Sequence, residues 1–123
     1  MDAYKDEARI LRALAHPVRL MIAEALGQEE SCVCHLEARL GLRQAYVSQQ
    51  LAVLKAAGLV SERRVGTFIY HRLVSREVLA VLEALRGITG IPSRPLPGPG
   101  RDGCGCPRCE LSEERVEPQP TRR

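Results

Sequence analysis

The run Gly41-Leu-Arg-Gln-Ala-Tyr-Val-Ser-Gln-Gln-Leu-Ala-Val-Leu-Lys-Ala-Ala-Gly58 decides the architecture. Between its two glycines, Val47, Leu51 and Leu54 recur at helical spacing, so a helix is predicted over about 44–57. Steps of about 100° per residue put Ala45, Gln49 and Ala52 on the opposite side, flanked by Gln44 and Ser48. Upstream, Ser31 is a candidate N-cap for a short helix carrying Val33, Leu36 and Leu40, which Gly41 breaks. Downstream, residues 59–64 and 67–73 read as two strands around Val65-Gly66, because Val60, Phe68, Ile69 and Tyr70 favour extended backbone. A short helix, a glycine turn, an amphipathic helix and a hairpin together read as a helix-turn-helix with a wing.

The flanks extend this reading. Pro17 suits the first turn of a helix with an apolar stripe of Val18, Met21, Ile22, Ala25 and Leu26, ended at Gly27. A first helix over 4–14 places Tyr4, Ala8 and Leu11 in register. Ser75 can cap a last helix with Val78, Val81, Leu82, Leu85 and Ile88 along one side. The expected fold is mainly α with a small β-hairpin, and its core is aliphatic because aromatics make up only 3% of the chain.

The 123 residues leave room for one ordinary domain. Seven of the eight prolines lie beyond residue 90, interleaved with glycines, so residues 1–91 are expected to form the domain and 92–123 a tail too poor in apolar residues to bury a core. No apolar run is long enough for a membrane helix, and the polar start from Met1 to Glu7 shows no export pattern. A cytoplasmic protein with no membrane partner is the expectation.

A net charge of +3 implies little by itself, but its distribution does. From Arg43 to Arg72, five basic side chains (Arg43, Lys55, Arg63, Arg64 and Arg72) face one acid, Glu62. From Glu24 to Arg39 the balance reverses, with four acids against Arg39. Positive charge therefore gathers on the second helix of the motif and on the wing, where it can neutralise phosphates. Glutamine pairs bidentately with adenine, serine reaches bases or phosphate, and alanine meets a thymine methyl. Arg43, Gln44, Ala45, Ser48 and Gln49, with Arg63 and Arg64 of the wing, are thus the candidate contacts to double-stranded DNA.

Ser31-Cys-Val-Cys-His-Leu36, followed by Val47-Ser-Gln-Gln-Leu-Ala-Val-Leu-Lys-Ala-Ala-Gly-Leu-Val60, resembles the ArsR/SmtB family of metal-responsive repressors, as does His16-Pro-Val-Arg-Leu20. The resemblance covers roughly residues 5–88. It implies a winged-helix homodimer, joined through its first and last helices, that blocks transcription until an inducer releases it from an imperfect palindrome. Many members have His where Gln50 stands, and Asp where His35 stands.

Cys32 and Cys34 are soft donors, suited to arsenite, Cd(II), Pb(II) or Zn(II). Residues two apart on a regular helix point about 200° apart, so either this segment starts non-helical or binding unwinds it. Two sulfurs leave such a site incomplete. Cys104, Cys106 and Cys109 of the tail are the expected further donors, and His35 a weaker one, expected at the surface. Thiophilic metal or metalloid sensing, with arsenite foremost, is the first reading. A redox or persulfide response of the same thiols, and a purely structural role, are the alternatives. The last helix has no His and only Glu77 and Glu83 as acids, against the family's other sensing site. His71 is expected on the wing, facing solvent or DNA. No phosphate loop, βαβ pattern or catalytic triad stands out, so an enzyme is not expected.

Overall fold

The computed structural model describes residues 2–93 and 95–98. The elements are α1 (Asp2–Leu14), α2 (Pro17–Gln28), β1 (Ser31–Cys32), α3 (Val33–Leu40), α4 (Gln44–Ala56), β2 (Val60–Val65), β3 (Phe68–Leu73) and α5 (Glu77–Thr89). Five helices and a small antiparallel sheet of order β1-β3-β2 make up the mainly α winged helix-turn-helix the sequence predicts.

Local chemistry sets most boundaries. The His16 ring accepts a hydrogen bond from the Val18 amide at 3.1 Å, which caps α2 while Pro17 fills its first turn. The Ser75 hydroxyl accepts from the Glu77 amide at 3.1 Å where α5 begins. Gly58, with φ +83°, turns the chain from α4 into the wing through a conformation that other residues adopt only with strain. Gly27 does not end α2, which runs on to Gln28. It instead leaves room for Leu79 of α5, whose methyl would lie 2.3 Å from a Cβ placed there.

The core is aliphatic. Ile22, Leu36, Leu40, Val47 and Leu54 are essentially inaccessible and bring α2, α3 and α4 together. Arg86 of α5 pairs with Glu24 of α2. Arg9 of α1 donates to the Ala57 carbonyl at 2.8 Å, satisfying an acceptor at the end of α4. Tyr4, Leu11, Leu85 and Ile88 stay exposed, so the apolar stripes of α1 and α5 are only partly used within one chain.

The chain after α5 turns back along the domain. The Ser93 hydroxyl lies 3.3 Å from Glu24 Oε2, Leu96 packs against the core, and the Gly98 amide donates to the Arg39 carbonyl at 2.7 Å. The start of the predicted tail therefore lies against α2 and the end of α3.

Candidate nucleic-acid interface and thiol site

Val47, Leu51 and Leu54 of α4 point into the core, while Arg43, Gln44, Ala45, Ser48 and Gln49 are exposed, as their spacing predicts. The exposed set gathers on the N-terminal half of α4, the part of a recognition helix that reaches base edges. Gln50 is different. It is buried, and its Oε1 accepts a hydrogen bond from Arg19 of α2 at 2.7 Å. This side chain holds α4 to α2.

The wing separates its two arginines, because neighbouring residues of a strand point to opposite faces. Arg64 is exposed. Arg63 donates from Nε and Nη2 to the two carboxylate oxygens of Glu30, both at 2.8 Å, and its guanidinium lies 5.4 Å from the Tyr70 ring centroid. The Glu30 hydrogen bonds push the Arg63 pKa further up. Lys55 pairs with Glu62 at 3.1 Å, and that hydrogen bond holds the Glu62 carboxyl below its ordinary value. Arg72 donates to the Ser61 hydroxyl at 3.3 Å. Arg43 and Arg64 are exposed, and so are Lys55, Arg63 and Arg72 despite their partners.

The thiols meet at a strand-to-helix junction. Cys32 ends β1 in extended conformation and is the N-cap of α3, whereas Cys34 lies in its first turn. This break in periodicity brings the two Sγ atoms to 3.0 Å. The non-helical alternative therefore holds, and no unwinding is needed for the thiols to converge. Ser31 is not the cap. It is buried in β1, and its hydroxyl donates to the Glu29 carbonyl at 3.1 Å. His35 is buried rather than at the surface, with Nε2 3.0 Å from Glu29 Oε2. Cys32 packs with Tyr70, and Cys34 and Phe68 close around them. Cys104, Cys106 and Cys109 lie outside the described residues. Among the described residues no three His, Cys, Asp or Glu side chains are grouped to hold a metal ion, so two sulfurs are what this part of the chain offers.

His71 does not face solvent or DNA. It lies on β3, the central strand, between Ser31 and Glu62, and is 5% exposed. Its Nδ1 is buried without a partner, and burial lowers its pKa. With Ser48, Ala52, Lys55 and Glu62 it lines a cavity of about 300 Å³ between α4 and the wing. The third strand, not legible in the sequence, is what buries it.

Residues 16–62 match the family described as bacterial regulatory protein, arsR family. The chain is 45% identical over 91 residues to the biofilm growth-associated repressor of Agrobacterium fabrum, covering 74% of this chain and 78% of that protein. The chain belongs to the ArsR/SmtB family. The structure of NolR from Sinorhizobium fredii superposes on this ArsR/SmtB regulator with a TM-score of 0.67 and 38% identity, covering 74% of this chain and 91% of that one. The winged helix-turn-helix domain Mb0332 from Mycobacterium bovis, described as homodimeric, does so at 0.63 and 28% identity, covering 76% and 91%. The ArsR/SmtB assignment makes α4 the recognition helix of a transcriptional regulator and β2–β3 its wing. No helix among the described residues is long and apolar enough to cross a membrane.

Proposed function

We propose that this regulator is a cytoplasmic homodimeric repressor, released from its operator when a thiophilic metal or metalloid binds Cys32 and Cys34 together with tail cysteines. Arsenite is the preferred inducer; Cd(II), Pb(II) and Zn(II) are the other ions of fitting softness. The 3.0 Å approach of the two sulfurs carries this reading, since it presents two soft donors on one side before any ligand arrives. Arg43, Gln44, Ala45, Ser48 and Gln49 of α4, and Arg64 of β2, meet the DNA. The relatives described as repressors support the sense of regulation.

Chain length supports a role for the tail. Gly98 is hydrogen-bonded at the C-terminal end of α3, and Cys34 is near its N-terminal end. Five residues of helix separate Arg39 from Cys34, about 8 Å. Six residues from Gly98 to Cys104 span up to roughly 20 Å when extended. Cys104, Cys106 and Cys109 are thus within reach of the same chain's thiols, and can supply the third sulfur that arsenite requires. The exposed apolar stripes of α1 and α5 supply the surface a dimer needs, and a dimer places two α4 helices about one DNA turn, roughly 34 Å, apart.

The test is a titration of reduced protein with each ion. Binding is followed by fluorescence anisotropy on a duplex selected from a random pool by the protein itself. A Cys104/Cys106/Cys109→Ser variant runs alongside. Release by arsenite in the wild type, lost in the variant, supports the full ligand set. Release retained in the variant confines the sensor to Cys32 and Cys34. Release by a mild oxidant and by no ion gives these thiols a redox role instead.

A further inference from the structure

The strand register aligns three side chains that the sequence keeps far apart. Cys32 of β1 stands opposite Tyr70 of β3, and Tyr70 stands opposite Arg63 of β2. Directly opposed residues share a face of the sheet, so the three form one row across it. Each link is a packed contact. Cys32, 4% exposed, packs on Tyr70, 2% exposed. The Tyr70 ring carries the Arg63 guanidinium 5.4 Å from its centroid, and Glu30 clamps that guanidinium through two bonds of 2.8 Å. Glu30 is two residues before Cys32, so the row closes on the segment that bears the thiols.

We infer that Tyr70 and Glu30 are positioning residues that hold Arg63 as an anchor of the wing and pass the state of the thiols to it. This rests on the thiol sensing proposed above and assigns its route. A ligand bonded to both sulfurs adds an atom beside Cys32, which is buried. The added atom must displace a neighbour of Cys32. Cys34 is partly exposed, whereas Cys32 is buried against the Tyr70 ring. A close-packed interior passes such a displacement on rather than absorbing it. The ring shifts beneath Arg63, the clamp with Glu30 loosens, and the hairpin that carries Arg64 leaves its DNA-binding position. In this role Arg63 does not itself contact phosphate.

The test uses full-length reduced protein, sodium arsenite and the selected duplex. Two readouts run together: operator affinity, and protection of Cys32 and Cys34 from iodoacetamide resolved by peptide mass spectrometry. Wild-type affinity is expected to fall at least tenfold with arsenite. Tyr70→Leu and Glu30→Gln are expected to show the same protection, with affinity falling less than threefold. Tyr70→Phe, which keeps the ring, is expected to retain the tenfold response. Glu30 sits at the rim of the sheet, outside the core, so Glu30→Gln carries the test even if Tyr70→Leu does not fold. A tenfold response in Glu30→Gln with normal protection overturns the row while leaving thiol sensing intact. A wild type whose thiols are protected but whose affinity is unmoved, or whose thiols are not protected at all, overturns the sensing reading and the row with it.

Discussion

Arg19 of α2 donates from Nη1 to the Oε1 of Gln50 at 2.7 Å, and this bond fixes the roll of the recognition helix against its scaffold. Arg19 also donates to the carbonyls of Ala13 and Arg12 at the end of α1, so one guanidinium ties three helices. Arg19→Met keeps the stem and removes the donors. The Gln50 carbonyl, on a residue only 9% exposed, is then left without its partner. A loss of about 1–3 kcal/mol in stability is expected from an unsatisfied buried acceptor. Urea unfolding of the variant checks this, and operator affinity should fall with it because α4 is no longer held in one orientation.

The two wing arginines should separate in a salt series. Both are exposed, but Arg63 is also held by Glu30. Each neutralised phosphate adds about 0.9 to the slope of log affinity against log salt. Arg64→Gln is expected to lower affinity and make the slope shallower by about that amount for each phosphate the guanidinium neutralises. Arg63→Gln is expected to lower affinity with the slope unchanged. Equal slope changes in both variants would make Arg63 a phosphate ligand like its neighbour.

The helices were legible because Pro17, Gly41 and Gly58 punctuate apolar stripes of the right period. The outward face of α4 followed from the same geometry. What could not be read was β1, since two residues have no period and Ser31–Cys32 is a strand only because β3 lies beside it. Three further features depend on that strand: the burial of His71, the convergence of the thiols, and the row from Cys32 to Arg63. The Glu30–Arg63 pair joins residues 33 apart, and nothing local marks either as the other's partner.

His71 makes stability depend on pH in a defined sense. Burial depresses its folded pKa below the ordinary 6.5, so the unfolded chain takes up this proton first as pH falls. The contribution is fully present above the ordinary value, declines as pH drops below it, and levels off once the folded group also titrates. Glu62 opposite favours the charged ring and Lys55 opposes it, both less strongly than burial. Thermal melts between pH 7.5 and 5 should therefore fall more steeply for the wild type than for His71→Gln. Parallel curves would remove His71 as the cause.

The dimer surface can be tested at Ile88, which is 80% exposed on α5 next to the half-exposed Leu85. Ile88→Glu places a charge on that apolar stripe. Sedimentation equilibrium is expected to show a dimer for the wild type and a shift of at least tenfold toward monomer for the variant, with weaker operator binding. An unchanged dimer would move the interface elsewhere.

The most direct measurement is operator binding by Cys32→Ser and Cys34→Ser, each with and without arsenite. The account predicts that both variants bind the operator as the reduced wild type does and that neither is released by arsenite at concentrations that free the wild type. Release of either variant at wild-type concentrations would contradict it, because the paired sulfurs would then not be the sensor.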